Sequence, residues 1–206
     1  THLYAGSMVS CTLNGTDLDM KLESAFPWDG EVRAVLHTEG VAQGTLAFRV
    51  PGWCRDAKAD VCRDSRTLSG CRVDHGVLRS TAEQTEPEPG MGIRLERGYL
   101  YLTGEWRDGD VIWLHFPMEV RCMAANEKVR ENMGKVAFTR GPVCYCMEEI
   151  DNGKNLHLLQ VDMEKVCCSG LPDVTVETFQ GLGHEMRILK VPGKRTEDSA
   201  RGEGFY

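Results

Sequence analysis

Long apolar runs are missing from this chain. The densest, Val111 to Phe116, falls well short of the roughly 18 residues that a membrane helix needs, so no transmembrane candidate exists and no membrane partner is expected. Basic charge is also short, with 24 Lys and Arg against 31 Asp and Glu. A phosphate-backbone partner calls for a basic face, so nucleic acid is not expected either. Helical periodicity is scarce: no stretch of a dozen residues keeps one apolar face, and no internal repeat is evident. Metal-ligand spacing is absent too. The nine cysteines contain no CxxC…CxxC pattern, and the six histidines form no HxxxH or HxH pair. The opening THLYAGSMVS has neither a charged leader nor a long apolar segment, so no signal peptide is read there.

What the chain has is short strands. At 206 residues it can hold one large β domain or two smaller ones, each able to bury a core without staples. Met8 to Leu13 is strand-like, and Asn14-Gly15 supplies the positive-φ pair of a tight hairpin. Leu18, Met20 and Leu22 then alternate with charged residues, the pattern of a half-buried antiparallel strand. Val32, Ala34 and Leu36 repeat that pattern, and Leu46, Phe48 and Val50 add a strand that stops at Pro51-Gly52. Residues 56–76 are polar and weakly patterned, anchored by Cys62, Cys71 and Val73. Residues 81–92 are rich in Glu, Pro and Gly and read as a surface loop.

The stretch 98–148 organises the rest. Tyr99 to Thr103 is expected to turn at Asp108-Gly109 into Val111 to Met118, a central strand with both faces covered. Asn126 to Gly134 is the one short helical candidate, with Asn126 as cap. Lys135 to Thr139 and Val143 to Met147 pair around Arg140-Gly141-Pro142. Leu156 to Val161, Val174 to Val176 and Met186 to Val191 are shorter strands, and residues 192–204 form a loose charged tail. Many short strands at about 8–12-residue spacing indicate an all-β protein, two antiparallel, jelly-roll-like β-sandwich domains in tandem. The expected boundary lies near Arg121, giving domains of residues 1–121 and 122–206. Cys11, Cys122, Cys144 and Cys146 lie in apolar runs as small hydrophobes, which suits a reducing, cytoplasmic setting. Thr1 opens inside a strand-like run, so the chain is expected to be cut from something longer.

An ordered set of motifs carries a resemblance. FPWDG (26–30), VPGWC (50–54), GYLYLTGEWRDGDV (98–111), GKVAFTRGPVCYCMEEIDN (134–152) and NLHLL (155–159) together resemble the C-terminal part of glycoside hydrolase family 127, the β-L-arabinofuranosidase-like proteins. The resemblance runs from about Leu3 to Leu159. It implies a catalytic α/α toroid ahead of two β-sandwiches, with a glutamate acid/base and a zinc-bound cysteine nucleophile in that toroid. None of the toroid is present here, so no catalytic residue carries over and no cofactor is expected in these residues. The resemblance also implies a closing aromatic segment that this chain stops short of, leaving the second sandwich without an edge strand.

Several residues invite a functional reading. Cys167-Cys168 looks like an active-site cysteine pair, but it follows the PWDG and PGWC segments where the family's pair precedes them. Trp28, Trp53 and Trp106 each sit beside a turn, where an open indole stacks on a sugar and a closed one plugs the core. The plug is the preferred reading. Glu148, Glu149 and Asp151 are weighed as a hydrolytic carboxylate pair and read instead as a solvated strand end, since neighbours on a strand face opposite ways. His115 reads as a core imidazole. Arg140 is a further sugar-contact candidate, and the Gly-rich GMG and GLG have no phosphate-loop pattern. The expected role is a non-catalytic scaffold packed on its own catalytic toroid. A carbohydrate-binding module taking an oligosaccharide, or a dimerisation domain meeting a second protomer, is the alternative.

Overall fold

The computed structural model describes residues 1–80, 90–166, 171, 173–181 and 184–196. The Cys167-Cys168 pair, most of the Glu/Pro/Gly-rich loop and the last residues of the tail lie outside them. The chain divides into two compact units, 1–118 and 119–206.

The first unit is a sandwich of two antiparallel sheets. Its strands are β1 (Ser7–Leu13), β2 (Thr16–Ser24), β3 (Glu31–His37), β4 (Ala42–Arg49), β5 (Asp56–Arg63), β6 (Arg66–Asp74), β7 (Val77–Ser80), β8 (Gly92–Glu96), β9 (Tyr99–Trp106) and β10 (Val111–His115). Seven of them form one sheet in the order β1-β2-β3-β10-β5-β6-β7, and three form the other, β4-β9-β8. Asn14 and Gly15 both have positive φ, so the β1–β2 connection is the tight turn that Asn-Gly favours. Register then sets the faces. Ile112 lies opposite Ala34 and Val61, and Leu114 opposite Val32 and Ala59. Those side chains are buried, together with Leu18, Met20 and Leu22 of β2 and Leu46, Phe48, Leu100, Leu102 and Trp106 of the smaller sheet. One core is thus enclosed between the two inner faces.

Four expectations need correcting in this unit. Residues 56–74 are a full hairpin, not a weakly structured segment. Ala57, Ala59 and Val61 alternate inward, and Asp64 and Ser65 turn with positive φ. Second, β9 and β10 do not pair. The turn between them switches sheets, putting β9 between β4 and β8 and β10 between β3 and β5. Asp110 holds that corner: its carbonyl accepts from Leu36 N and its carboxylate from Arg107 N. Third, β10 is central but covered on one face only, because the side chain of Trp113 points outward and is 41% exposed. Last, His115 is not a core imidazole. It lies opposite Glu31 on that outer face and hydrogen-bonds the Glu31 carboxylate through Nδ1.

The second unit has β11 (Val120–Ala124), β12 (Val136–Arg140), β13 (Val143–Tyr145), β14 (Leu159–Val161), β15 (Thr175–Gly181), β16 (His184–Lys190) and β17 (Gly193–Arg195). They form a three-stranded sheet, β11-β12-β13, and two ribbons, β14-β17 and β15-β16. All of β11 lies in this unit, so the division falls just ahead of Arg121. The helical candidate at 126–134 is a single 3₁₀ turn, Arg130–Asn132, without a side-chain cap. Asn126 instead accepts from Lys128 N, closing an Asx turn that competes with helix. The described start of the tail is ordered: β17 pairs β14, and Arg195 donates to the carbonyls of Asn152 and Lys154. Among the described residues of this unit only Val166 is a buried hydrophobe.

Candidate functional site

The FPWDG and VPGWC segments meet at one end of the first unit. Gly30 is buried there, and a Cβ on it would lie 1.9 Å from the carbonyl oxygen of Phe116, so only glycine fits. The close approach lets Phe116 N donate to the Gly30 carbonyl. Phe116 then packs on Tyr4 with ring centroids 4.9 Å apart and meets Trp53 edge-on at 6.5 Å. Tyr4 is buried and donates its hydroxyl to the Arg49 carbonyl, and burial pushes its pKa up. Trp28 and Trp53 are half-buried at this aromatic end. The cavity beside Tyr4, Phe48 and Phe116 is about 10 Å³, room for at most one water and none for a sugar ring.

Trp106 is elsewhere. It is fully enclosed in the core, with Nε1 donating to the Gly44 carbonyl at 3.1 Å, so its ring offers no open face. Arg140 ends β12 in the second unit and shares a face with Val120, Phe138, Val143 and Tyr145. It lies beside the Tyr145 phenol, whose pKa burial raises while Arg140 pulls it down. Within the first unit the enclosed Trp106 therefore offers no face to share with Trp28 and Trp53, and Arg140 belongs to the second unit. Glu149 and Asp151 belong to a four-residue helical turn, Glu149–Asn152, that Glu148 precedes. All three acids are exposed, so the strand end expected there is a turn.

Two features escaped the sequence reading. Arg63 forms a two-pronged pair with Asp110, Nε to Oδ1 at 2.7 Å and a terminal nitrogen to Oδ2 at 2.8 Å. The same guanidinium donates to the Glu105 carbonyl, tying β5 to the sheet-switching corner. The other feature is the outer face around Trp113. Register sets Arg33 on one side of the indole and Asp60 on the other, and the Arg33 guanidinium lies 5.7 Å from the ring centroid. Glu23 pairs with Arg33 across β2, and hydrogen bonds from Lys21 and Arg33 lower its pKa. Burial raises the pKa of Asp60, with Lys58 opposing. Parity already sets Trp113 on the face opposite Ile112 and Leu114, but the expectation that both faces of the strand are covered hides that this one is open.

The family resemblance places zinc in the catalytic domain. Among the described residues no three His, Cys, Asp or Glu side chains gather to hold a metal, so the described residues do not fit one. None of the seven described cysteines is in a disulfide.

Comparisons agree with this geometry. The pattern of the β-L-arabinofuranosidase GH127 middle domain matches residues 1–69, and that of the glycoside hydrolase family 127 C-terminal domain matches residues 120–192. A non-reducing end β-L-arabinofuranosidase of Bifidobacterium longum subsp. longum is 31% identical over 142 residues, covering 68% of this chain and 18% of the relative. The crystal structure of a GH127 β-L-arabinofuranosidase from Geobacillus stearothermophilus T6 is similar with a TM-score of 0.73 and 30% identity, covering 99% of this chain and 27% of that one. A second GH127 β-arabinofuranosidase structure shares the fold, with a TM-score of 0.72, 23% identity and coverage of 96% of this chain and 29% of that one. Fold and matches together define a β-sandwich region of a glycoside hydrolase. The chain belongs to family 127 and carries that family's middle and C-terminal domains. It spans less than a third of the relatives it matches.

Proposed function

We propose that this chain is the non-catalytic part of a β-L-arabinofuranosidase-like enzyme, and that it packs on and stabilises a catalytic domain of the same protein. The observation that carries the reading is the apolar surface of the second unit. Ile150 is 88% exposed and Met133 70%, with Met123, Met147 and Phe179 about half exposed. Exposed apolar groups in such number suit a surface that another domain covers. The parent reaction would be removal of a terminal β-L-arabinofuranosyl group from the non-reducing end of a saccharide, with the bond-breaking groups outside this chain. Cysteines outside disulfides suit a reducing, cytoplasmic setting. The test pairs this chain with the family's helical catalytic domain. Addition should raise that domain's Tm by several degrees, while the chain alone should release no p-nitrophenol from the β-L-arabinofuranoside. Turnover by the purified chain alone, or a catalytic domain equally stable without it, would defeat the proposal.

One observation favours a second reading, a carbohydrate-binding surface. Trp113 presents an indole on an open sheet face between a guanidinium and a carboxylate. Titration with arabinan separates the readings: saturable binding abolished in Trp113→Ala points to the module, and no binding leaves the scaffold.

A further inference from the structure

Five asparagines occur in the chain, and two of them, Asn14 and Asn152, are followed by glycine. Glycine has no side chain to shield its backbone nitrogen, which can therefore approach the side-chain amide of the asparagine before it. The two pairs are the same dipeptide and differ in the contacts that govern this reaction.

Asn14-Gly15 is the exposed turn between β1 and β2. Among the described residues neither the Asn14 side-chain amide nor Gly15 N has a hydrogen-bond partner. Nothing lies within 4 Å of the point where a Cβ on Gly15 would stand, so that side of the turn is open. Asn152-Gly153 ends the helical turn Glu149–Asn152 and is tied at both reacting groups. Gly153 N donates to the Glu149 carbonyl at 2.8 Å, and Asn152 Nδ2 donates to the Glu148 carbonyl at 3.0 Å. The Asn152 carbonyl also accepts from Arg195. The first two bonds must break before the nitrogen can reach the amide carbon.

We propose that Asn14 is a site of spontaneous deamidation in the folded chain, and that the helical turn protects the second Asn-Gly pair. The Gly15 nitrogen attacks Asn14 Cγ, forming a C–N bond as the Cγ–Nδ2 bond breaks. Ammonia leaves with the proton that Gly15 N gives up, and a five-membered succinimide remains. Water then opens the ring. Breaking the new C–N bond leaves aspartate at position 14. Breaking the original peptide bond leaves isoaspartate, whose main chain runs through Cβ and is one atom longer.

The turn has no slack for that atom. Two residues, both with positive φ, connect Leu13 to its partner Thr16. Leu13 packs on the core, and its side chain lies against Gly44, whose carbonyl accepts from Trp106. Isoaspartate at position 14 therefore loosens the end of the hairpin that carries Leu13. This inference does not depend on the catalytic-domain reading.

Peptide mapping of the 206-residue chain, aged at mildly alkaline pH with and without urea, tests it. Trypsin yields fragments 1–21 and 141–154, each with a single asparagine, so the one-dalton gain is counted separately at the two sites. In the folded chain position 14 should react faster than position 152 by about tenfold or more, since two hydrogen bonds hold the second pair. Urea removes both turns, and the two rates should then converge. The aged folded chain should also exchange the amides of residues 13–16 faster than the fresh one. Equal rates in the folded chain, or a slower position 14, overturn the proposal. So does a difference that persists in urea, because flanking residues and not the fold would then set it. Unchanged exchange at 13–16 in a chain carrying isoaspartate overturns the loosening of the hairpin.

Discussion

The two units share a strand-rich make-up and differ in what their strands enclose. In the first, alternation is sustained over seven to nine residues on several strands, and the inward side chains close a core around Trp106, Phe48 and Ile112. In the second, five strands of three to five residues and one seven-residue ribbon, β15-β16, alternate with turns, and Val166 is the single buried hydrophobe among the described residues. A sheet stabilises a fold only when one of its faces is removed from water. The first unit is therefore its own source of stability, whereas the described residues of the second leave several large apolar side chains exposed.

Substitutions in the first unit should have the largest effects. Trp106→Ala removes the largest enclosed side chain and its hydrogen bond to Gly44, and should cost about 3–5 kcal/mol in urea unfolding. Asp110→Ala should cost about as much, roughly 3–5 kcal/mol, because it strands the mostly buried Arg63 guanidinium and frees the corner between the sheets. If either variant unfolds at the wild-type midpoint, the first unit is not the source of stability.

Much of that unit was legible in the chain because its signals are local. Leu18, Met20 and Leu22 announce a half-buried strand by themselves, and Asn14-Gly15 announces its turn. The hairpin at 56–74 was missed for an equally local reason: Ala57 and Ala59 are weak strand formers, and Asp64-Ser65 turns without glycine. The sheet switch at Asp110 could not be read locally. Its cause is a carboxylate meeting Arg63, 47 residues away. In the second unit strand positions are legible, but alternation within a strand does not reveal whether a second layer exists to bury one face. As for the candidate site, Trp53 meets Phe26 of the FPWDG segment and Phe116 at the aromatic end, and Trp28 follows Phe26 two residues on. Alternation gives Trp113 the right face, but a run as apolar as 111–116 reads as covered on both sides, and only the sheet order shows the outer one open.

A smaller effect should appear at alkaline pH, again only where a core exists. Burial, and then the nearby Asp60 charge, push the Cys71 thiol from 9.0 up to about 12. The unfolded chain therefore loses this proton first. Stability from the neutral thiol is intact below about pH 9 and drains away as pH rises toward about 12, by about 2 kcal/mol at about pH 10.5. Denaturant titrations from pH 8 upward should show that slope, and Cys71→Ala should flatten it. An unchanged slope in the variant would mean the thiol is open to water.

In the second unit even the deepest truncation should be mild. Val166→Ala removes two methyl groups, worth about 1–2 kcal/mol by transfer, and should broaden unfolding of residues 119–206 while leaving the first transition in place. One transition shifted as a whole would show that the units unfold as one.

The smallest effect is the most telling for the proposed covering domain. Ile150→Gln and Met133→Gln replace side chains that already face water, so each should change the stability of the chain by less than about 0.5 kcal/mol. The same changes should weaken association with the catalytic domain, since an apolar group that costs nothing when free is lost only from the interface. A loss of stability without loss of association would place these residues in a core of the second unit. It would also erase the contrast between a unit that closes on itself and one that waits for a partner.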